Sequence, residues 1–275
     1  MQKEQMTKIV WTAVAAVIGA FMVLPLIWMI SASLKTEVEV FQYPIRWIPE
    51  TIRWENYREV WAGIYPFWIF YANSIKVTTL SVAGLLATSA LAAYSFAKLR
   101  YPGRNTLFLA YLSTMMIPPQ VLLVPRFIIF RNIGILNTHW ALVLPGMFII
   151  FGVFLLRQFF STIPNELSES ALMDGAGHLT IWSRIILPLA KPAIISLLIV
   201  SFVWRWNDFE EPLIFLNTKE LFTIPVAMTL FIDEFDTRYS LIMAATVSAI
   251  IPVLAVFLAG QRFFVQGVVT SGLKG

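Results

Sequence analysis

The sequence predicts an all-α integral membrane protein with six transmembrane helices, on three observations. Of its 275 residues, 58% are hydrophobic and 13% charged, about half the charged fraction usual for soluble domains, and the mean hydropathy is +0.74. Apolar, charge-poor windows follow one another from Ile9 to Phe264, with no Gly/Ser-rich or Pro-rich linker between them. One long polar stretch, residues 157–187, interrupts the series. A single membrane domain over residues 1–275 is therefore expected, in the cell membrane and surrounded by lipid.

A spanning helix needs roughly 20 mostly apolar residues, which places the spans at 9–33, 70–97, 105–125, 134–156, 188–206 and 239–261. The first is preceded by Lys3 and Lys8 and followed by Ser31, Ala32 and Ser33, as a signal peptide would be. Its apolar stretch exceeds the ~7–15 residues of a signal-peptide core, so it reads as an uncleaved anchor. Trp61, Tyr65, Trp68 and Tyr71 before the second span, and Tyr94 and Tyr101 near its end, form an interfacial aromatic belt. Gly84, Ala87, Ser89 and Ala90 within that span permit close helix packing. Pro118 and Pro119 predict a kink in the third span. His139 beside Trp140 reads as an interfacial polar residue at the start of the fourth. The fifth is the shortest, its charge-free core running only from Pro192 to Trp204 between Lys191 and Arg205. Both flanking side chains are long enough to snorkel to opposite interfaces. Six spans put both termini on one side. Lys and Arg divide evenly between the two sides, and only their density in the short 98–104 turn and the tilt of acids toward the outside loops favour a cytoplasmic N-terminus.

Several function classes lack their residues. There is no cysteine and there are two histidines, His139 and His178, so disulfide frameworks, Cys/His zinc sites and haem attachment have no ligand set. The formal charge of +4 is scattered, with no basic cluster beyond Lys98, Arg100 and Arg104, so no nucleic-acid partner is expected. No Asp, Glu, Lys or Arg falls at mid-depth in the six windows. That speaks against a proton-coupled carrier and against an intramembrane hydrolase, both of which need such groups. No Gly-x-x-x-x-Gly-Lys-Ser/Thr phosphate loop occurs. No cofactor is expected on this chain, and active transport would need a separate ATP-hydrolysing subunit.

The polar stretch continues into IPNELSESALMDGAGHLTIWSRIILPLAKP, residues 163–192. Pro164 suits a first helical turn, Glu166 and Glu169 suit the positive end of a helix, and Gly175 and Gly177 end or bend it. A short amphipathic helix, a glycine break and a second apolar helix follow, forming a protruding element that could transmit force if gripped. Glu169, Ser170 and Ala171, then Gly175, then Ile185, Leu187 and Pro188 stand at the spacing of the cytoplasmic signature of ABC importer permeases, with Ser170 in place of the commoner Ala. The chain is similar to the carbohydrate-uptake branch of that family, in particular the smaller permease subunit of maltose-type systems. Further matching stretches are Pro49-Glu50 through Asn56-Tyr57, Trp206-Asn207-Asp208 through Pro212-Leu213, Thr223-Ile224-Pro225, Ile251-Pro252, and Gln261 through Gly267 with the Gly272-to-Gly275 end.

The resemblance implies a permease heterodimer with a longer partner, two ATP-binding subunits and an extracytoplasmic solute-binding protein, with ATP used only by the ATPase. It implies ATPase coupling through Glu169, Ser170, Ala171, Asp174, Gly175 and Ala176, a structural role for Ile185, Leu187 and Pro188, and a tail contact with the ATPase through Gly272, Lys274 and Gly275. Both termini and the 157–187 loop would then be cytoplasmic, and the acidic 208–236 loop would face the binding protein. Within the same class, a glycerol phosphate-type solute is an alternative to a carbohydrate. A secondary carrier or channel is the alternative from another class.

Overall fold

The protein, described here as a computed structural model, is helical throughout, with no strand among the described residues. These are residues 2–232 and 237–272, with side chains over 5–232 and 237–262. Four helices are long and apolar enough to cross a membrane singly: Gln5–Ser33, Phe67–Lys98, Trp140–Phe160 and Tyr239–Arg262. Two helix pairs joined at sharp bends are apolar enough when each is taken together, Arg104–Met116 with Pro119–Asn132 at 89°, and His178–Leu189 with Lys191–Trp206 at 77°. The fold class is thus all-α, with four membrane-crossing helices among the described residues, or six where each bent pair counts as one span.

Each interruption has a local cause. A residue before proline is pushed out of the helical region. Here Ile117 (φ −80°, ψ 115°) and Pro118 (φ −59°, ψ 132°) both precede a proline, so the third span turns sharply instead of kinking mildly. Its second half continues past 125 to Asn132 and carries Arg126 and Arg131 on helix. Residues 134–139 were expected at the start of the fourth span but lie outside it. Gly134 (φ 76°) and Asn137 (φ 59°) adopt left-handed conformations that hold them in turns, and helix begins at Trp140. That span is itself interrupted at Ile149, which is extended, and the Thr88 hydroxyl donates to the Met147 carbonyl at 2.6 Å. An interrupted backbone at membrane depth needs such replacement partners. In the fifth span the helix restarts at Lys191, with Pro192 in its first turn, where the missing N–H costs nothing.

The chain divides into two compact units, Met1–Trp68 with Ala227–Ile251, and Ile69–Val226 with Pro252–Gly275. In the first, the 34–62 segment is clamped by its own polar side chains. Lys35 is fully buried, its ammonium donating to the Arg46 carbonyl and lying 4.4 Å from the Trp28 ring centroid. Burial pushes that amine below its ordinary range, and Glu39 opposes the shift. Asn56 donates to the carbonyls of Ser33 (2.9 Å) and Lys35 (2.8 Å), and the Tyr57 and Ser33 hydroxyls lie 2.8 Å apart. In the second unit the 85–94 stretch of the second span packs with Leu156, Phe160, Ile181, Ile186 and Leu197 in one buried apolar cluster. Gly84 and Ser89 face Met147 and Gly152 of the fourth span in close approach.

Candidate coupling site

The signature segment folds as a short helix, Glu166–Met173, followed by a helical stretch from His178 to Leu189. Pro164, expected in the first helical turn, instead lies just ahead of the N-cap Asn165. Asn165 makes no side-chain cap. Its Oδ1 accepts from Lys98 Nζ at 2.9 Å, and the same ammonium donates to the Ile163 carbonyl at 2.5 Å. The last residue of the second span therefore pins the helix entry. Glu166 and Glu169 occupy the first turn, where the helix dipole favours negative charge.

The other end is closed by a double hydrogen bond. Ala176 N donates to the Ala171 carbonyl at 2.9 Å and Gly175 N to the Leu172 carbonyl at 3.0 Å, with Gly175 at φ +82°. This is the Schellman closure, which needs a left-handed residue at that position. Gly175 is thus a conformational requirement, and a Cβ there would meet open space.

The signature residues divide into a seat and a face. Ala171, Ala176, Ile185 and Leu187 pack against the buried cluster, while Glu169, Ser170 and Asp174 are exposed. Leu172 and Met173 are exposed beside them, Met173 at 89%. Residues Trp182–Ile186 form one wide π turn, with Leu187 between it and Pro188. A proline ring clashes with the carbonyl four residues earlier, here that of Arg184, and widening the turn relieves the clash. Ile185 and Pro188 therefore belong to one distortion that re-aims the chain into the fifth span.

Glu169 Oε1 lies 3.2 Å from Arg100 Nη2, a pair linking the signature helix to the 98–104 turn. Both side chains are largely exposed, so the pair contributes only about 0–1 kcal/mol and is easily released. A cleft of about 1060 Å³ opens here, lined by residues of the 94–106 segment and by Asn165, Ser168, Glu169, Leu172 and His178. His178 Nδ1 lies 3.3 Å from the Tyr94 hydroxyl. The sequence offered Lys98 and Arg100 only as topology markers, and their contacts to Asn165 and Glu169 carried no signal there. Of the tail residues, Gly272 is the last residue of the Tyr239–Gly272 helix, and Lys274 and Gly275 lie outside the described residues.

In the acidic 208–236 loop, part of the negative charge is turned inward. Asp208 and Glu211 each meet Arg205 at 2.7 Å, and Glu211 also meets Arg126 at 2.5 Å. These side chains are 11–25% exposed, so two of the loop's acids face inward against cations. Burial raises the Asp208 carboxyl above its ordinary value and Glu211 adds to the shift, while Arg205 opposes both. The Arg205 guanidinium also lies over Gly146, where a Cβ would sit 2.6 Å from Nη2. Glu210 and Glu220 are exposed, and Asp233, Glu234 and Asp236 lie outside the described residues. His139, beyond an interfacial role, is largely buried with Nε2 3.0 Å from the Leu221 carbonyl.

Comparison with known proteins places these features together. Residues 84–270 match the family model described as binding-protein-dependent transport system inner membrane component. The arabinooligosaccharides transport system permease protein of Halalkalibacterium halodurans is 30% identical over 262 residues, covering 94% of each chain. The sn-glycerol-3-phosphate transport system permease protein of Yersinia enterocolitica is 33% identical over 266 residues, covering 94% of this chain and 95% of its own. Among solved structures, a chain of a bacterial ABC transporter involved in the import of the acidic polysaccharide alginate superposes with a TM-score of 0.84 at 25% identity, over 96% of this chain and 98% of that one. With the family model spanning most of the chain and the Glu169-to-Pro188 signature seated on the buried cluster with Glu169 exposed, the chain belongs to the family of inner membrane components of binding-protein-dependent transport systems.

Proposed function

We propose that this chain is the smaller permease subunit of an ABC importer that moves a carbohydrate, and that the 157–187 loop is where a separate ATPase drives it. The observation that carries the coupling role is the division of the signature helix. Ala171 and Ala176 seat it on the buried cluster, leaving Glu169, Ser170, Leu172 and Met173 as a ready face at the end of a rigid lever. An ATPase that grips this face moves the fifth span through the His178–Leu189 stretch. Glu169 exchanges its weak contact with Arg100 for a cation on the ATPase, a charge-assisted contact of ~1.5–3 kcal/mol once partly desolvated. The importer then contains a second permease, two ATPase copies and an extracytoplasmic binding protein, with both termini of this chain cytoplasmic.

A carbohydrate solute is supported by the arabinooligosaccharide relative and the alginate transporter structure. The sn-glycerol-3-phosphate relative, at comparable identity, supports a second reading in which the solute is a glycerol phosphate ester. Ligand screening of the cognate binding protein separates the two. The coupling role is tested in proteoliposomes holding all subunits. Glu169→Lys is expected to abolish binding-protein-stimulated ATP hydrolysis and uptake while the two permeases still pair, with Thr180→Ser as the control. Wild-type stimulation in Glu169→Lys would exclude this loop as the coupling element. Ion-driven concentrative uptake by the chain alone would instead favour a secondary carrier.

A further inference from the structure

We propose that the cleft beside the signature helix is a binding site for a phosphate-bearing anion, supplied by the headgroup of an anionic membrane lipid. The cleft holds about 1060 Å³, and its lining holds three cations, Lys98, Arg100 and Arg104, against one acid, Glu169. The lining therefore carries a net charge of +2 (three minus one). Of these cations, Arg100 is engaged by Glu169, and Lys98 spends two of its N–H groups on Ile163 and Asn165. Arg104 donates from Nη1 to the Leu99 carbonyl at 2.9 Å, and no other partner of its guanidinium is found among the described residues. It is the cation left to take a ligand.

The uncharged lining suits an oxyanion too. Tyr101, Asn105 and Thr106 bring hydroxyl and amide groups to the wall, and Ser168 contributes a buried hydroxyl with no hydrogen-bond partner. A buried hydroxyl left unsatisfied is costly, and turning it toward the cleft would let an acceptor oxygen there satisfy it. Position decides for a lipid as the source. Lys98 is the last residue of one membrane-crossing helix and Arg104 the first of the next, so the cleft opens at the depth where headgroups lie. The inference needs these two span ends at a membrane surface, but it does not need the loop to engage an ATPase.

The test uses the chain co-purified with its partner subunits and reconstituted in nanodiscs of phosphatidylcholine containing phosphatidylglycerol. After stepwise delipidation, native mass spectrometry counts the phosphatidylglycerol retained. Wild type is expected to retain it over phosphatidylcholine. Arg104→Ala is expected to lower retention about five-fold, the effect of one juxtamembrane cation at an anionic surface, and Arg104→Lys is expected to restore most of it. Thermal melting of each variant confirms folding. Equal retention by wild type and Arg104→Ala overturns the proposal. Displacement of the lipid by millimolar inorganic phosphate shows a free-phosphate site and overturns the lipid source. If Arg104→Ala instead releases the ATPase while lipid retention is unchanged, the cleft is a protein contact and the proposal fails, whatever Glu169→Lys does to coupling.

Discussion

Replacing Arg205 by methionine tests whether the inward-facing charges hold the 205–211 corner together. Arg205 is 11% exposed and meets Asp208 and Glu211, which are 18% and 16% exposed. Removing one partner of a buried pair costs ~3–5 kcal/mol when the other is left alone. Glu211 keeps Arg126, so only Asp208 loses its cation. Asp208 can escape by taking up a proton, at ~1.4 kcal/mol for each unit its pKa lies below the ambient pH, and burial has already raised that pKa. The expected deficit is therefore below the ~3–5 kcal/mol of a fully orphaned charge, and smaller at pH 5.5 than at pH 7.5. It shrinks as pH falls because protonation removes the orphaned charge. Gly146→Ala reaches the same guanidinium from the other side, its Cβ 2.6 Å from Nη2 and 2.8 Å from Ser81 Oγ, and overpacking of this kind costs ~1–3 kcal/mol. Because Arg205 is held by two carboxylates, it yields poorly, and in the Arg205→Met background the glycine substitution is expected to cost less. Thermal melting of the reconstituted complex at both pH values reads the cycle, at about 2–4 °C per kcal/mol for a chain of this size. A pH-independent deficit, together with costs that add within ~0.5 kcal/mol, would refute the reasoning.

Gly175→Ala is expected to weaken the closure of the signature helix by ~1–2 kcal/mol because of its left-handed backbone, whereas Gly175→Asn is expected to retain most function; stimulated ATPase activity measured on both variants checks this. His139 lies outside the spans, and burial holds its pKa below 6.5, with the Leu221 carbonyl opposing and Lys76 adding to the shift. The unfolded chain therefore takes up a proton below pH 6.5 that the folded chain refuses, so stability falls as pH drops through that window, and His139→Gln is expected to flatten the melting profile there. For topology, single cysteines at Gln5, Ile48, Asn105 and Asn217 are expected to label from outside only at Ile48 and Asn217. Ser33 is unsuitable as a probe because it is fully buried. Outside labelling at Asn105 would reverse the orientation.

The apolar windows overlap the four helices long enough to cross a membrane singly and the two bent helix pairs, because hydrophobic length is a local property, read without knowing any neighbour. The signature segment was legible for a related reason: Glu169, Gly175 and Pro188 are spaced along one continuous stretch. Arg205 with Asp208 was within reach of spacing alone, at three residues apart. The Arg126–Glu211 contact was not, because 85 residues separate the partners and only the sharp turn at Pro118 and Pro119 re-aims the third span. Lys35 illustrates the same limit. A lysine just past a span reads as interfacial, and its burial depends on Arg46 and Trp28 closing around it. The start of the fourth span was misplaced because Gly134 and Asn137 act through backbone handedness, which hydropathy does not register.

The π turn at Trp182–Ile186 has a consequence for insertions and deletions. Such a turn holds one more residue than the α-helical turn it replaces, and successive residues of a helix are rotated by about 100° around its axis. Losing one residue there would let the turn relax to α geometry, still one full turn, so the segments on either side would keep their angular relation. A residue lost from the regular helix at His178–Ile181 has no such slack, and its loss would rotate everything upstream by about 100° relative to the fifth span. A one-residue deletion is thus expected to be better tolerated inside the wide turn than just ahead of it.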